Sequence, residues 1–220
     1  MLAACVIAMK VFSIFALVLV LPFSSSLRAE DQAPMLNRPG KILSQPDFAQ
    51  PLGKEWSVGK GKWEPIDGVL TATEIPEEHH VAVLHLATGP VSLIIECEFR
   101  YNGGKIFYVG FDSASKHVGR VVIVPKKMTL CEDSTEVKGK TPSHTLAELP
   151  VDLMSDDWQT LRVEWTGEKM AARLNGKELR AENPYLATPK ARWWFAAGGA
   201  SVQLRNVRVT EGQPIQSEAR

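Results

Sequence analysis

Residues 158–176, WQTLRVEWTGEKMAARLNG, decide the architecture of this chain. Leu161, Val163 and Trp165 share one face of an extended segment, while Thr160, Arg162, Glu164 and Thr166 share the other. A period of two over that length predicts a half-buried β-strand. Thr166-Gly167 then turns the chain, and Met170, Ala172 and Leu174 repeat the alternation before Asn175-Gly176 turns it again. An Asn-Gly pair between alternating runs is a strong hairpin signal, because its two residues accept the positive φ angles of a tight turn. The segment is therefore an antiparallel meander with one apolar face, and a second layer must cover that face.

The same signature extends in both directions. Residues 63–66 and 69–73 flank Asp67-Gly68, 80–87 lead to Gly89-Pro90, and 91–101 form the strongest apolar run. Asn102-Gly103-Gly104 turns into 106–111, residues 118–124 stop at Pro125, and the last strands fall at about 192–197 and 201–209. Residues 126–157 are less regular, and no helical period stands out in the domain. Short strands punctuated by Gly and Pro predict an all-β sandwich or jelly roll. In the last strand Val202 and Leu204 have one parity and Val207 and Val209 the other. Keeping all four in the core takes one extra residue, which predicts a β-bulge near Arg205-Asn206.

Ahead of the domain, Lys10 precedes an apolar run from Val11 to Leu21, followed by serines and Leu27-Arg28-Ala29. This is the anatomy of a secretory signal, and the run is shorter than the roughly 20 residues that span a bilayer. Residues 1–29 are expected to be a cleaved signal peptide, 30–46 a linker, 47–212 the globular domain and 213–220 a tail. A secreted or periplasmic protein without stable membrane insertion follows. Losing Lys10 and Arg28 from 25 basic residues leaves 23 against 25 acidic ones. That balance gives no basic patch for nucleic acid or an anionic membrane. About 190 residues suffice for one core. Of three cysteines, Cys5 leaves with the signal. Cys97 and Cys131 remain, and an exported protein could pair them; Cys97 shares a strand face with Leu93, Ile95 and Phe99, which favours a buried free thiol.

Six segments carry a family resemblance: WSVGKGKWEPIDGVLTATE, EHH, IIECEFRYNGGKIFYVGFD, KHVGRVVI, DDWQTLRVEWTGEKMAARLNG and GGASVQLRNVRVTEG. They are similar to a large family of exported bacterial proteins carrying the domain named for 3-keto-disaccharide hydrolysis, long called a domain of unknown function. The resemblance covers roughly residues 47–212. It implies a concanavalin A-like jelly-roll sandwich of two antiparallel sheets, a carbohydrate or glycoside partner, and hydrolase or lyase chemistry on 3-keto glycosides. A non-catalytic, lectin-like sandwich of the cell envelope is the alternative.

Candidate site residues come from strand parity. Glu96 and Glu98 project with Arg100 opposite the core face of their strand, about 7 Å apart, where two carboxylates could act as acid and base. His117 is the third catalytic candidate, since a histidine beside a strand can move a proton. Asp112 and Arg120 flank the same turn and are expected on one rim with it. With Arg100 and Asn102 they form the expected substrate-binding set. Trp193-Trp194 puts one indole inward and one outward, and an outward Trp194 could stack on a sugar ring. Glu77-Glu78 beside His79-His80 could hold a divalent metal; neighbouring side chains on an extended segment diverge, so at most one histidine coordinates, and the family resemblance implies His80. His85 and His144 read as ordinary surface positions. No glycine-rich phosphate loop, nucleophile elbow or HExxH helix is present.

Overall fold

The structure, a computed structural model, describes residues 33–87, 92–134, 143–153 and 157–215. In chain order its strands are β1 (Asn37–Ser44), β2 (Trp56–Lys60), β3 (Lys62–Ile66), β4 (Val69–Thr73), β5 (Ala82–Ala87), β6 (Ser92–Tyr101), β7 (Gly104–Asp112) and β8 (His117–Val124). There follow β9 (Lys127–Glu132), β10 (His144–Pro150), β11 (Gln159–Thr166), β12 (Lys169–Leu174), β13 (Lys177–Glu182), β14 (Arg192–Gly199) and β15 (Val202–Pro214). Helix among the described residues amounts to two short 3-10 turns, Pro76–Glu78 and Pro184–Ala187. None is long and apolar enough to cross a membrane.

Two antiparallel sheets result. The eight-stranded sheet runs β13-β12-β11-β6-β15-β4-β3, with β1 added along β15. The seven-stranded sheet runs β10-β9-β8-β7-β14-β5-β2. Their inner faces carry the expected parities: Leu93, Ile95, Cys97 and Phe99 from β6 meet Phe107, Val109 and Phe111 from β7 and Trp193 and Phe195 from β14. Phe99 and Phe107 pack across the gap with centroids 4.8 Å apart, and Phe111 lies 5.8 Å from Trp165. Each such ring contributes on the order of 2–3 kcal/mol by leaving water. Tyr101 Oη reaches from one sheet to donate to the Ile123 carbonyl of the other at 2.7 Å. The chain is thus a concanavalin A-like jelly-roll sandwich.

The local signals behave as their chemistry demands. Asn175 and Gly176 both hold positive φ, +49° and +80°, at the β12–β13 turn. On β15 the register slips between Arg205 and Arg208, with Asn206 at φ +52°. That bulge lets Val202, Leu204, Val207 and Val209 all enter the core. Cys97 is a buried free thiol, and Cys131 is also free.

Four expectations change or fall elsewhere. Residues 37–44, expected as linker, form β1, with Asn37 opposite Pro214 and Arg38 opposite Gln213, so β15 also runs into the expected tail. The reason is that β1 is held by main-chain pairing and by one buried carboxylate, neither of which leaves an apolar period. Glu164 Oε1 accepts from Met35 N at 3.0 Å, and its Oε2 accepts from Leu36 N and Asn37 N, both at 2.7 Å. The irregular region 126–157 contains β9, whose Met128 and Leu130 point inward, and the edge strand β10. The signal segment and the Gly89-Pro90 turn lie outside the described residues.

Candidate functional site

The pairing register places one lateral row of side chains across the outer face of the seven-stranded sheet. His85 on β5 is opposite Trp194 on β14, Trp194 is opposite Gly110 on β7, and Gly110 is opposite Arg120 on β8. Gly110 is what allows the row to fold down. A Cβ there would stand 2.0 Å from Trp194 Cζ2, so the indole lies across the bare backbone of β7. On β2, Gly59 plays the same part for His85, whose Cε1 would be 2.6 Å from a Cβ.

One register position along, Arg192, Asp112 and His117 come together. Asp112 is 2% exposed, and its carboxylate accepts from His117 Nδ1 at 2.6 Å, Trp194 Nε1 at 2.8 Å and Arg192 Nε at 2.9 Å. Burial alone would raise this carboxyl above its usual range. The bonds from His117, Trp194 and Arg192 more than reverse that effect and hold it below the ordinary value. Asp112 is therefore an anchored anion, unsuited to give a proton. With Nδ1–H of His117 spent on it, the neutral imidazole would carry its lone pair on Nε2, which has no partner among the described residues. The His117 side chain is 44% exposed.

Arg120 is fixed in a similar way. Its Nε and Nη2 donate to Asp133 Oδ2 and Oδ1 at 3.0 and 2.7 Å, and Asp133 Oδ1 also accepts from Ser143 Oγ at 2.8 Å. The guanidinium lies 5.8 Å from the Trp194 centroid. These groups surround a cleft of about 260 Å³, walled by His80, Val83, His85, Tyr108, His117 and Arg120 over Trp194. His79, at φ +48°, turns the chain so that His80 reaches the rim. Burial and then the Arg192 charge push the His85 imidazole down, with Asp112 opposing, so it favours the neutral form. Burial raises the Tyr108 phenol, which keeps its proton.

Five expected residues meet at this cleft: Asp112, His117, Arg120, Trp194 and His80. Trp194 points outward as parity requires but is 6% exposed, covered by Asp112, His117 and Arg120. It is the floor of the cleft and not an open stacking surface. Glu96, Glu98 and Arg100 do not join them, because β6 belongs to the other sheet and their side chains face its far side. There Glu96 receives Arg162 at 2.7 Å, and Arg100 donates to Gln203 at 2.7 Å. Glu98, 4% exposed, receives Arg205 Nε at 2.7 Å and Asn206 Nδ2 at 2.8 Å. Asn102 is exposed at the β6–β7 turn, and its N–H donates to the Ser201 carbonyl at 3.1 Å.

The residues expected around a metal at His80 do not converge on it. Its Nδ1 is 2.8 Å from the Val81 carbonyl, and Glu78 Oε2 is taken by Gly61 N at 2.7 Å. Among the described residues no group of three His, Cys, Asp or Glu side chains is arranged to hold an ion. Four residues of the site were not singled out from sequence: His85, Tyr108, Asp133 and Arg192. Tyr108 and His85 were within reach, since 108, 110 and 112 share parity on β7 and His85 opposes the core residues Leu84 and Leu86. Asp133 follows the end of β9 and carries no periodic mark.

No known family and no curated protein matches this sequence. Solved structures do resemble the fold. The carbohydrate-binding module CBM66 from Bacillus subtilis superposes with a TM-score of 0.58 at 11% identity, covering 71% of this chain and 95% of its own. A Bacillus subtilis protein of unknown function with a galectin-like fold gives 0.59 at 12% identity, covering 82% and 100%. SCLam, a non-specific endo-β-1,3(4)-glucanase of family GH16, gives 0.58 at 11% identity, covering 81% and 96%. At such identities the likeness is one of fold, and it agrees with the fold that the family resemblance implied.

Proposed function

We propose that this protein is an exported, carbohydrate-active sandwich that takes a glycoside into the cleft above Trp194. The observation that carries the reading is the convergence of Tyr108, His117, Arg120 and His85 from β7, β8 and β5 on one cleft floored by Trp194 of β14, with Asp112 and Asp133 fixing two of them from behind. Such pre-oriented polar groups around a partly apolar floor suit a hydroxyl-rich ring. The same sandwich serves carbohydrate binding in the CBM66 module and glucan cleavage in SCLam, which supports the class without choosing between the two activities.

The Asp112–His117 pair favours turnover as a second reading. A histidine whose Nδ1–H is held by a buried carboxylate presents Nε2 as a base. Acting on the 3-keto glycoside that the family resemblance implies, Nε2 would take the proton from the carbon beside the ketone. The electron pair moves onto the ketone oxygen as an enolate, which Arg120 stabilises. The enolate then re-forms the ketone, the glycosidic C–O bond breaks, and the leaving oxygen receives the proton from His117. Water adds across the resulting double bond to complete hydrolysis. Glu96 and Glu98 have no part in this sequence.

The test is calorimetric titration of the full chain with a glycan panel, beside product analysis on a 3-keto disaccharide. Saturable binding without product supports the lectin-like reading. Product that disappears in His117→Ala while binding persists supports the enzyme. A panel with no binding and no turnover would remove both.

A further inference from the structure

The cleft is uneven in what it offers a ligand. Asp112 is the carboxylate on its lining, and three donors already occupy that group. Asp133 sits behind Arg120 with its side chain fully buried, so it holds the guanidinium without facing the ligand. Arg120 spends Nε and Nη2 on that aspartate, and its Nη1 has no partner among the described residues. Arg192, 49% exposed and bonded to the lining residue Asp112, spends Nε there and has both Nη groups free of described partners. Tyr108 adds a protonated hydroxyl. The surface thus presents two guanidinium edges and a hydroxyl as donors, with imidazole nitrogens of His117 and His85 as its side-chain acceptors and its one carboxylate consumed.

A neutral sugar uses the two cationic edges less fully than an anion does. Its hydroxyls donate as often as they accept, and each donor needs an acceptor on the protein. A carboxylate is acceptor only, and a planar guanidinium edge meets it with two short, charge-assisted bonds. Resting on the reading of this cleft as a saccharide site, we propose that its ligand is an acidic saccharide, a uronate whose carboxylate sits against Nη1 of Arg120 with Arg192 beside Asp112.

The experiment compares matched pairs. Tetrasaccharides of glucuronate, galacturonate and mannuronate, each beside its carboxyl-reduced neutral counterpart, are titrated into the full chain at low and physiological salt. At least one acidic member is expected to bind at least about tenfold more tightly than its reduced partner, with the gap narrowing as salt rises. Arg120→Lys keeps the charge but loses the fork, and the exposed Arg192→Gln leaves the fold intact. Each should shrink the preference several-fold, with thermal melts confirming folding. Reduced partners that bind as tightly as the acids overturn the charge inference and leave the saccharide reading standing. Absence of binding by every acid and every reduced sugar overturns both. A preference undiminished in both variants places the anion elsewhere on the molecule and overturns this site.

Discussion

At position 110 any side chain would meet the indole of Trp194, whose Cζ2 is 2.0 Å from the place of a Cβ. In an ordinary strand, replacing glycine by alanine gains about 0.5–1 kcal/mol by reducing unfolded-state freedom. Here the methyl must displace a ring that is pinned from three sides, by Asp112 at its Nε1, by the edge of His117 and by the Arg120 guanidinium. Overpacking of that kind costs about 1–3 kcal/mol, which exceeds the entropic gain. Gly110→Ala should therefore lower stability by about 1–2 kcal/mol in urea denaturation. It should also weaken saccharide binding, because the floor and the Asp112 hub move together. A variant as stable as wild type, with unchanged Trp fluorescence, would show that the indole is not confined. Sequence parity placed Trp194 on the outer face correctly. It could not show that Gly110 lies beneath it, since that depends on the register between β7 and β14.

Among the elements, β11, β12 and β15 were legible because each buries one face and exposes turn chemistry at its ends. The bulge at Asn206 was legible for the same reason: four apolar residues of mixed parity leave no other way into one core. β1 was not, and its energetics explain why. Its flanking segment, residues 33–37, is fastened to the outer face of the eight-stranded sheet by Glu164, which is fully buried and also receives Arg162 Nε at 2.7 Å. Arg173 Nη1 adds a bond to the Ala33 carbonyl at 2.6 Å. A single acidic residue in β11, read as the polar half of an alternating strand, thus organises a distant segment through backbone amides. Glu164→Gln keeps the shape but offers one acceptor oxygen where the native carboxylate has two, and it leaves Arg162 beside a neutral group. A loss of about 3 kcal/mol is expected, and hydrogen exchange should show amide protection at 35–37 falling further than in the core strands. Equal protection in variant and wild type would mean that pairing of β1 with β15 holds the segment without the carboxylate.

For the molecule as a whole, the two sheets turn two independent polar surfaces outward, and this is where sequence reasoning ran out. Parity correctly placed Glu96, Glu98 and Arg100 on one face, and it placed Arg120 away from the core. It could not say that these faces look in opposite directions, because that follows from β6 and β7 joining different sheets across the Asn102 turn. The separation can be tested by crossing two variants with two readouts. Glu98 is buried against Arg205 and Asn206 on the bulge, so Glu98→Gln removes the charge of a largely desolvated pair. The expected cost is about 2–3 kcal/mol of stability, seen in the denaturation midpoint, with saccharide affinity within about twofold of wild type. His117 is part-exposed and lines the cleft, so His117→Ala should cost stability less than about 1 kcal/mol while weakening binding and stopping any turnover. The two effects should add in the double variant, because sites on opposite faces share no partners. If Glu98→Gln weakened ligand binding as much as His117→Ala, or if the double variant departed from additivity by more than about 0.5 kcal/mol, the two surfaces would be coupled. The ligand would then have to engage both sheets, and the cleft above Trp194 could not be the whole site.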